Sequence, residues 1–154
     1  MKNMKLSDMA AIAEIIATMA LIVSLIFVGY EIRDNTEESR AANRQSLATR
    51  AQELALFSAQ MGGGMASLKR YEELTEEQQA AARAWVPALI RNAEEAYLSY
   101  RDGRLDEEYW LTRAAVVQSA IESDIGSEMY IEMKEGDQLT SDFTKALEEY
   151  VNSN

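Results

Sequence analysis

The chain has no cysteine and no histidine among its 154 residues. Without cysteine there is no disulfide framework and no thiolate for metal or redox chemistry, although that absence does not fix the compartment. Without histidine the chain lacks the commonest general base, the commonest metal ligand and the usual switch near neutral pH. A Ser-His-Asp triad, a Glu-x-x-His di-iron site and an H-E-x-x-H zinc site are excluded by composition. Proline occurs once, at Pro87. No segment shows sustained strand alternation. Gly62-Gly63-Gly64 lacks the lysine and the preceding strand of a phosphate cradle. An enzyme is therefore the least expected class, and neither a cofactor nor a metal is expected.

Basic residues are also scarce. Fifteen Lys and Arg face 26 Asp and Glu, a net charge of −11. Lys2, Lys5, Asp8 and Glu14 cancel, so the acidic excess lies after residue 30. Residues 39–52 carry Arg40, Arg44 and Arg50 with no acid, whereas residues 121–154 carry nine acids against Lys134 and Lys145. Nucleic acid is not an expected partner, because phosphate contacts need clustered Lys and Arg.

What the chain does have is an apolar run. Met9 to Tyr30 holds one charge, Glu14, in twenty-two positions. A membrane-spanning helix needs about 20 mainly apolar residues. The run is too long for a signal peptide, and Tyr30-Glu31-Ile32-Arg33 does not resemble a cleavage site. Its apolar character goes all the way round the helix, which favours lipid over a one-sided core. The lipid bilayer is thus the first expected partner.

Within the run, Ala10, Ala13, Ala17, Ala20 and Ser24 recur at spacings of three and four and form one stripe. Ile12, Ile15, Met19, Ile22, Val23 and Ile26 occupy the opposite side. In lipid, helices associate through close backbone approach, which small residues permit. The stripe predicts a homo-oligomer formed through this helix. Glu14 lies beside it, about 7 Å into the apolar run by helix rise. An ionisable group there snorkels, stays protonated at a helix contact, or lines a polar path between subunits. The charge tally for orientation is close to even: Lys2 and Lys5 precede the run, and Arg33, Arg40 and Arg44 follow it. It leans slightly toward a cytoplasmic soluble part.

Beyond the run, residues 31–60 are rich in helix formers and free of glycine and proline. The triple glycine ends that helix. Thr75 and Gln78 read as a capping box for a helix over 76–100, with Ala84, Leu89, Ala93, Ala96, Leu98 and Tyr100 as apolar positions and a kink or break near Val86 ahead of Pro87. Asp102-Gly103 stops it. Asp106 caps the next helix, which carries Tyr109, Trp110, Val116, Val117 and Ile121. Residues 123–127 read as a turn, with Ser127 capping a short helix to about Glu135. Gly136-Asp137 is a further break. Ser141 opens a last helix in which Phe143, Leu147 and Tyr150 or Val151 share a face. The pairs Glu94-Glu95, Glu107-Glu108 and Glu148-Glu149 read as solvent-facing, since neighbours on one helix diverge. Trp85 and Trp110, with Tyr97, Tyr100 and Tyr109, read as core.

The fold class expected is all-α: an N-terminal transmembrane helix continuous with a long helix, then a small helical bundle. The expected division is a polar tail over 1–8, a transmembrane helix over 9–30, a juxtamembrane helix over 31–61 and an acidic helical domain over 65–154.

Three blocks carry a family resemblance: AEIIATMALIVSLIFVGYEIRDNT from Ala13, YRDGRLDEEYW from Tyr100 and LTSDFTKALEEYV from Leu139. In that order they resemble a widespread family of small uncharacterised bacterial single-pass membrane proteins. That family has an A-E-I-I helix ending in Q-I-R-x-N-T, a G-x-L-D-x-x-x-W helix start and an F-x-x-x-Y-V tail. The resemblance implies a bacterial inner-membrane location and no particular activity. Glu14, Arg33, Asn35 and Thr36 match its membrane-proximal pattern, while Glu31 replaces the usual glutamine and Tyr130 the usual tryptophan. It marks Arg33, Asn35 and Thr36 as a membrane-exit motif. Arg33 would reach lipid phosphates or a neighbouring carboxylate. Asn35 and Thr36 would satisfy backbone groups if the helix loosened there.

The leading functional expectation is a membrane-anchored, self-associating scaffold. A homo-oligomeric channel or proton pore with Glu14 in its wall and a single-pass ligand sensor are the alternatives.

Overall fold

The computed structural model describes residues 6–60 and 62–153. Of the expected tail over 1–8, the first five residues lie outside the described ones. Among the described residues there are helices and no strand, so the all-α class holds. Helix α1 is Leu6–Gln60, the apolar run and the juxtamembrane stretch forming one helix. It is followed by α2 (Met65–Leu68), a single 3-10 turn (Tyr71–Glu73), α3 (Glu76–Arg101), α4 (Glu107–Ile121), α5 (Asp124–Glu135) and α6 (Ser141–Ser153).

The chain divides into two compact units, Met1–Ala41 and Ala42–Asn154. The described residues of the first, 6–41, all belong to α1. Every described side chain of this unit is exposed, and the helix is long and apolar enough to cross a membrane.

The second unit owes its form to one aromatic-centred core. Trp110 of α4 meets Tyr97 of α3 edge-on at 5.1 Å and Phe143 of α6 at 5.9 Å. Edge-to-face contacts of this kind add to the gain from burial itself. Val86, Ile90, Val117 and Leu147 fill the space around them and are fully buried. Residues 42–60 of α1 join this unit through Leu47, buried with Ala96 and Leu105, and through Leu54 and Phe57. The Trp85 indole N–H donates to the Leu54 carbonyl at 2.9 Å.

Local chemistry explains the helix ends. Thr75 and Gln78 form the expected capping box: the Gln78 N–H donates to Thr75 Oγ1, and the Thr75 N–H to Gln78 Oε1. The triple glycine does end α1, with positive φ at Gly62, Gly63 and Gly64. Residues 65–73, not anticipated as helical, form α2 and the 3-10 turn, and Gln79 Nε2 donates to the Tyr71 and Leu74 carbonyls there.

Five expectations are corrected. Pro87 does not break α3, which runs unbroken from Glu76 to Arg101. Proline removes one helical hydrogen bond, but Trp85, Val86, Leu89 and Ile90 are buried on either side of it and hold the helix through the gap. Their face, not Ala84, faces the core, and Ala84 is exposed. Helix α5 starts at Asp124 and is capped by Ser123, whose Oγ accepts the Gly126 N–H at 3.1 Å; Ser127 lies inside it. A Cβ on Gly126 would stand 2.0 Å from the Ala120 carbonyl oxygen, so the α4–α5 corner is tight enough to need glycine. Asp106 occupies the N-cap position of α4 without capping it; its carboxylate pairs with Arg44 instead. Finally, Glu94 of the Glu94-Glu95 pair is buried, only 5% exposed.

Candidate functional site

Two surfaces stand out, one in each unit. On the first, thirteen large apolar side chains between Ile12 and Ile32 are each 45–66% exposed. Ala10, Ala13, Ala17, Ala20 and Ser24 all lie on this helix and are exposed. Ala20 and Ser24 share a shallow apolar groove with Ile16, Met19, Val23 and Phe27. Glu14 is exposed beside the stripe, and its backbone carbonyl accepts from Thr18 Oγ1 at 2.8 Å. At the exit motif the helix does not loosen. Thr36 Oγ1 donates to the Ile32 carbonyl at 2.7 Å, one turn back, and Arg33 Nε reaches Glu37 at 3.5 Å. Asn35 is exposed on the same unbroken helix.

In the second unit, residues 42–60 of α1 rest on α3 through long side chains, and a cavity of about 280 Å³ remains beside them. Leu54 and Ala55 of α1, Met65 of α2, Trp85 and Leu89 of α3 and Val116 of α4 give it apolar walls. Three polar side chains line the same cavity: Ser58, whose Oγ donates to the Ala55 carbonyl at 2.6 Å, Asn92 and Arg113. Asn92 is 7% exposed, and its Nδ2 is buried without a hydrogen-bond partner. Arg113 has a buried Nε, also without a partner. One Arg113 terminal nitrogen donates to Tyr109 Oη at 3.0 Å, and the guanidinium lies 5.0 Å from that ring. Sequence reasoning missed both residues: each looks like an ordinary polar helix position, and only the packing of three helices brings them together.

A third buried donor of this unit, Asn43 Nδ2, also has no partner and lies away from the cavity, whereas several other polar groups are matched. Glu94 accepts the Thr140 N–H at 2.7 Å and an Arg91 N–H at 2.9 Å, tying α3 to the residue before α6. Arg50 pairs with Glu95, and Lys134 with Glu148. The hydrogen bond from Lys134 holds the Glu148 carboxyl below the usual range. The Tyr130 hydroxyl donates to the same carboxylate at 3.3 Å. Burial, with the negative charge of Glu148 beside it, pushes the Tyr130 phenol up to about 12. Tyr130 is thus a core residue with a polar tip. Among the described residues, no group of three or more acidic side chains is placed to hold a metal.

Comparison of the chain with protein families, with curated proteins and with solved structures finds no match.

Proposed function

We propose that the chain is a single-pass membrane protein of the bacterial inner membrane, anchored by residues 9–30 and self-associating through that helix to organise a membrane assembly. One observation carries the anchor: the thirteen large side chains left exposed between Ile12 and Ile32. Soluble monomers rarely expose contiguous apolar patches of more than a few hundred Å², and a hydrocarbon core of about 30 Å would cover this one. Self-association is supported by the groove at Ala20 and Ser24, which admits a neighbouring helix closely. The family resemblance agrees with the anchor.

Extraction and sizing test this reading. The full chain is expected to stay with the membrane fraction in alkaline carbonate and to run as an oligomer in mild detergent. Ala17→Ile combined with Ala20→Ile is expected to shift it toward monomer. Release by carbonate removes the anchor, and a wild-type monomer removes the self-association. A liposome flux abolished by Glu14→Gln would replace the scaffold with a pore.

A further inference from the structure

The cavity between residues 51–58 of α1 and helices α3 and α4 has two features that packing alone does not account for. A domain of this size is ordinarily able to close such a gap with larger apolar side chains, and buried polar groups are ordinarily hydrogen-bonded. Here the gap is open, and Asn92 Nδ2 and Arg113 Nε are both buried beside it without partners. Arg113 has no ion pair with any described residue; its interactions are confined to Tyr109. A partly buried guanidinium without a carboxylate is costly. It stands out in a chain with 26 acids, where carboxylate partners are plentiful.

We propose that this cavity is a binding site for a small amphipathic monocarboxylate. The apolar body would lie among Leu54, Met65, Trp85, Leu89 and Val116, with the carboxylate at the Arg113 guanidinium and the Asn92 side chain. Size, charge and wall chemistry each narrow the class. The volume of about 280 Å³ equals the liquid share of about nine waters, which suits a ligand of about ten heavy atoms. Only one cationic side chain lines the cavity, so a single carboxylate is matched. A second negative charge would meet no cationic partner in the cavity. The walls are otherwise hydrocarbon, indole and the Ser58 hydroxyl; the hydroxyl proton is committed to Ala55 and the indole N–H to Leu54. The ligand body therefore needs no hydrogen-bonding groups of its own. A carboxylate there would match the charge of Arg113, and guanidinium–carboxylate bonds are among the stronger ones proteins make.

The proposal deepens the ligand-sensor alternative and rests on it only for the use the cell makes of binding. A chain that fails the carbonate test would still be expected to bind.

The test uses the full chain in lipid discs, with empty discs as the baseline for partitioning into lipid. The probes are 3-phenylpropanoate, hexanoate and the uncharged 3-phenylpropanol, and the readouts are calorimetry and tryptophan fluorescence, since Trp85 is part of the wall. Saturable binding of at least one carboxylate is expected, with 3-phenylpropanol weaker by about tenfold or more. Whichever carboxylate binds better tells an aryl from an alkyl ligand. Arg113→Gln is expected to abolish the preference for carboxylate over alcohol, and Arg113→Lys to restore part of it. Asn92→Leu is expected to weaken carboxylate binding while the domain stays folded by circular dichroism. No saturable binding of either carboxylate overturns the proposal. So does equal binding of carboxylate and alcohol, or a carboxylate preference that survives Arg113→Gln.

Discussion

Phe27 and Phe143 are the same residue in opposite circumstances. Phe27 is 66% exposed on α1, whereas Phe143 is fully buried between Trp110 and Tyr97. The protein has put about as much apolar chemistry outside its first unit as inside its second. In water an exposed aliphatic surface is unfavourable at about 25 cal/mol per Å². Residues 12–32 keep such a surface on a helix long and apolar enough to cross a membrane. The bundle of the second unit buries most of its large apolar groups internally, Leu56, Leu111 and Ile131 being exposed exceptions. Among the described residues, the helix of residues 6–41 has no apolar neighbours of its own.

That contrast can be broken experimentally. The largest effect is expected from Phe143→Ala, which removes a fully buried ring and should cost the bundle about 4 kcal/mol. Thermal melting of the full chain in lipid discs, followed by near-ultraviolet circular dichroism, measures it; Phe27→Ala should leave the same transition within about 0.5 kcal/mol. Gly126→Ala comes next. Its methyl group meets the Ala120 carbonyl, so the α4–α5 corner must open at a cost of about 3 kcal/mol by the same melt. Glu94→Ala should cost about 2 kcal/mol, since the Thr140 N–H loses its acceptor and Arg91 its carboxylate. Glu94→Gln, which keeps an acceptor for Thr140, should cost less.

A smaller effect separates the two units by pH. The folded-state Tyr130 phenol is raised from 10.0 to about 12. A raised acid pKa means that the folded state holds its proton more tightly than the unfolded one. The corresponding stability is complete below pH 10 and is lost as pH climbs from 10 toward 12. Ultraviolet titration of phenolate should show one late-ionising tyrosine, absent in Tyr130→Phe, whose alkaline loss of stability should be shallower. Glu148 acts in the opposite range. Its folded pKa is lowered, so its contribution is present above the normal carboxylate range and is lost as pH falls through the folded value. It is discounted for its exposure to water. The smallest expected change has the opposite sign: Asn92→Leu should stabilise the ligand-free bundle by about 1 kcal/mol, because a buried amide without a partner is replaced by hydrocarbon.

The class of fold was legible because its carriers are local. Helix periodicity, the Thr75–Gln78 box and the triple glycine each act within a few residues, and each appears where the chain spells it. What was not legible depends on contacts between distant positions. Nothing near Glu94 distinguishes it from Glu95; its burial comes from Thr140, 46 residues away. Pro87 reads as a breaker because propensity is local, and it is overruled by the core on either side of it. Asp106 reads as a cap, but Arg44, 62 residues earlier, takes its carboxylate. The Asn92–Arg113 cavity is the extreme case, since it consists of what three helices leave unfilled and has no motif at all.

The position of Phe143 and Leu147 on α6 also bears on how the molecule is made. Ribosomes release a chain from its N-terminus, so residues 9–30 emerge long before α6. The apolar helix can therefore meet its surroundings while the bundle still lacks the two side chains that are fully buried at its centre. Until they arrive, Trp110 and Tyr97 present an open aromatic seat, the kind of transiently exposed surface that aggregates or recruits chaperones during synthesis. Emergence of the apolar helix thus precedes closure of the domain, and a ribosome paused before α6 would hold a nascent chain with its core still open.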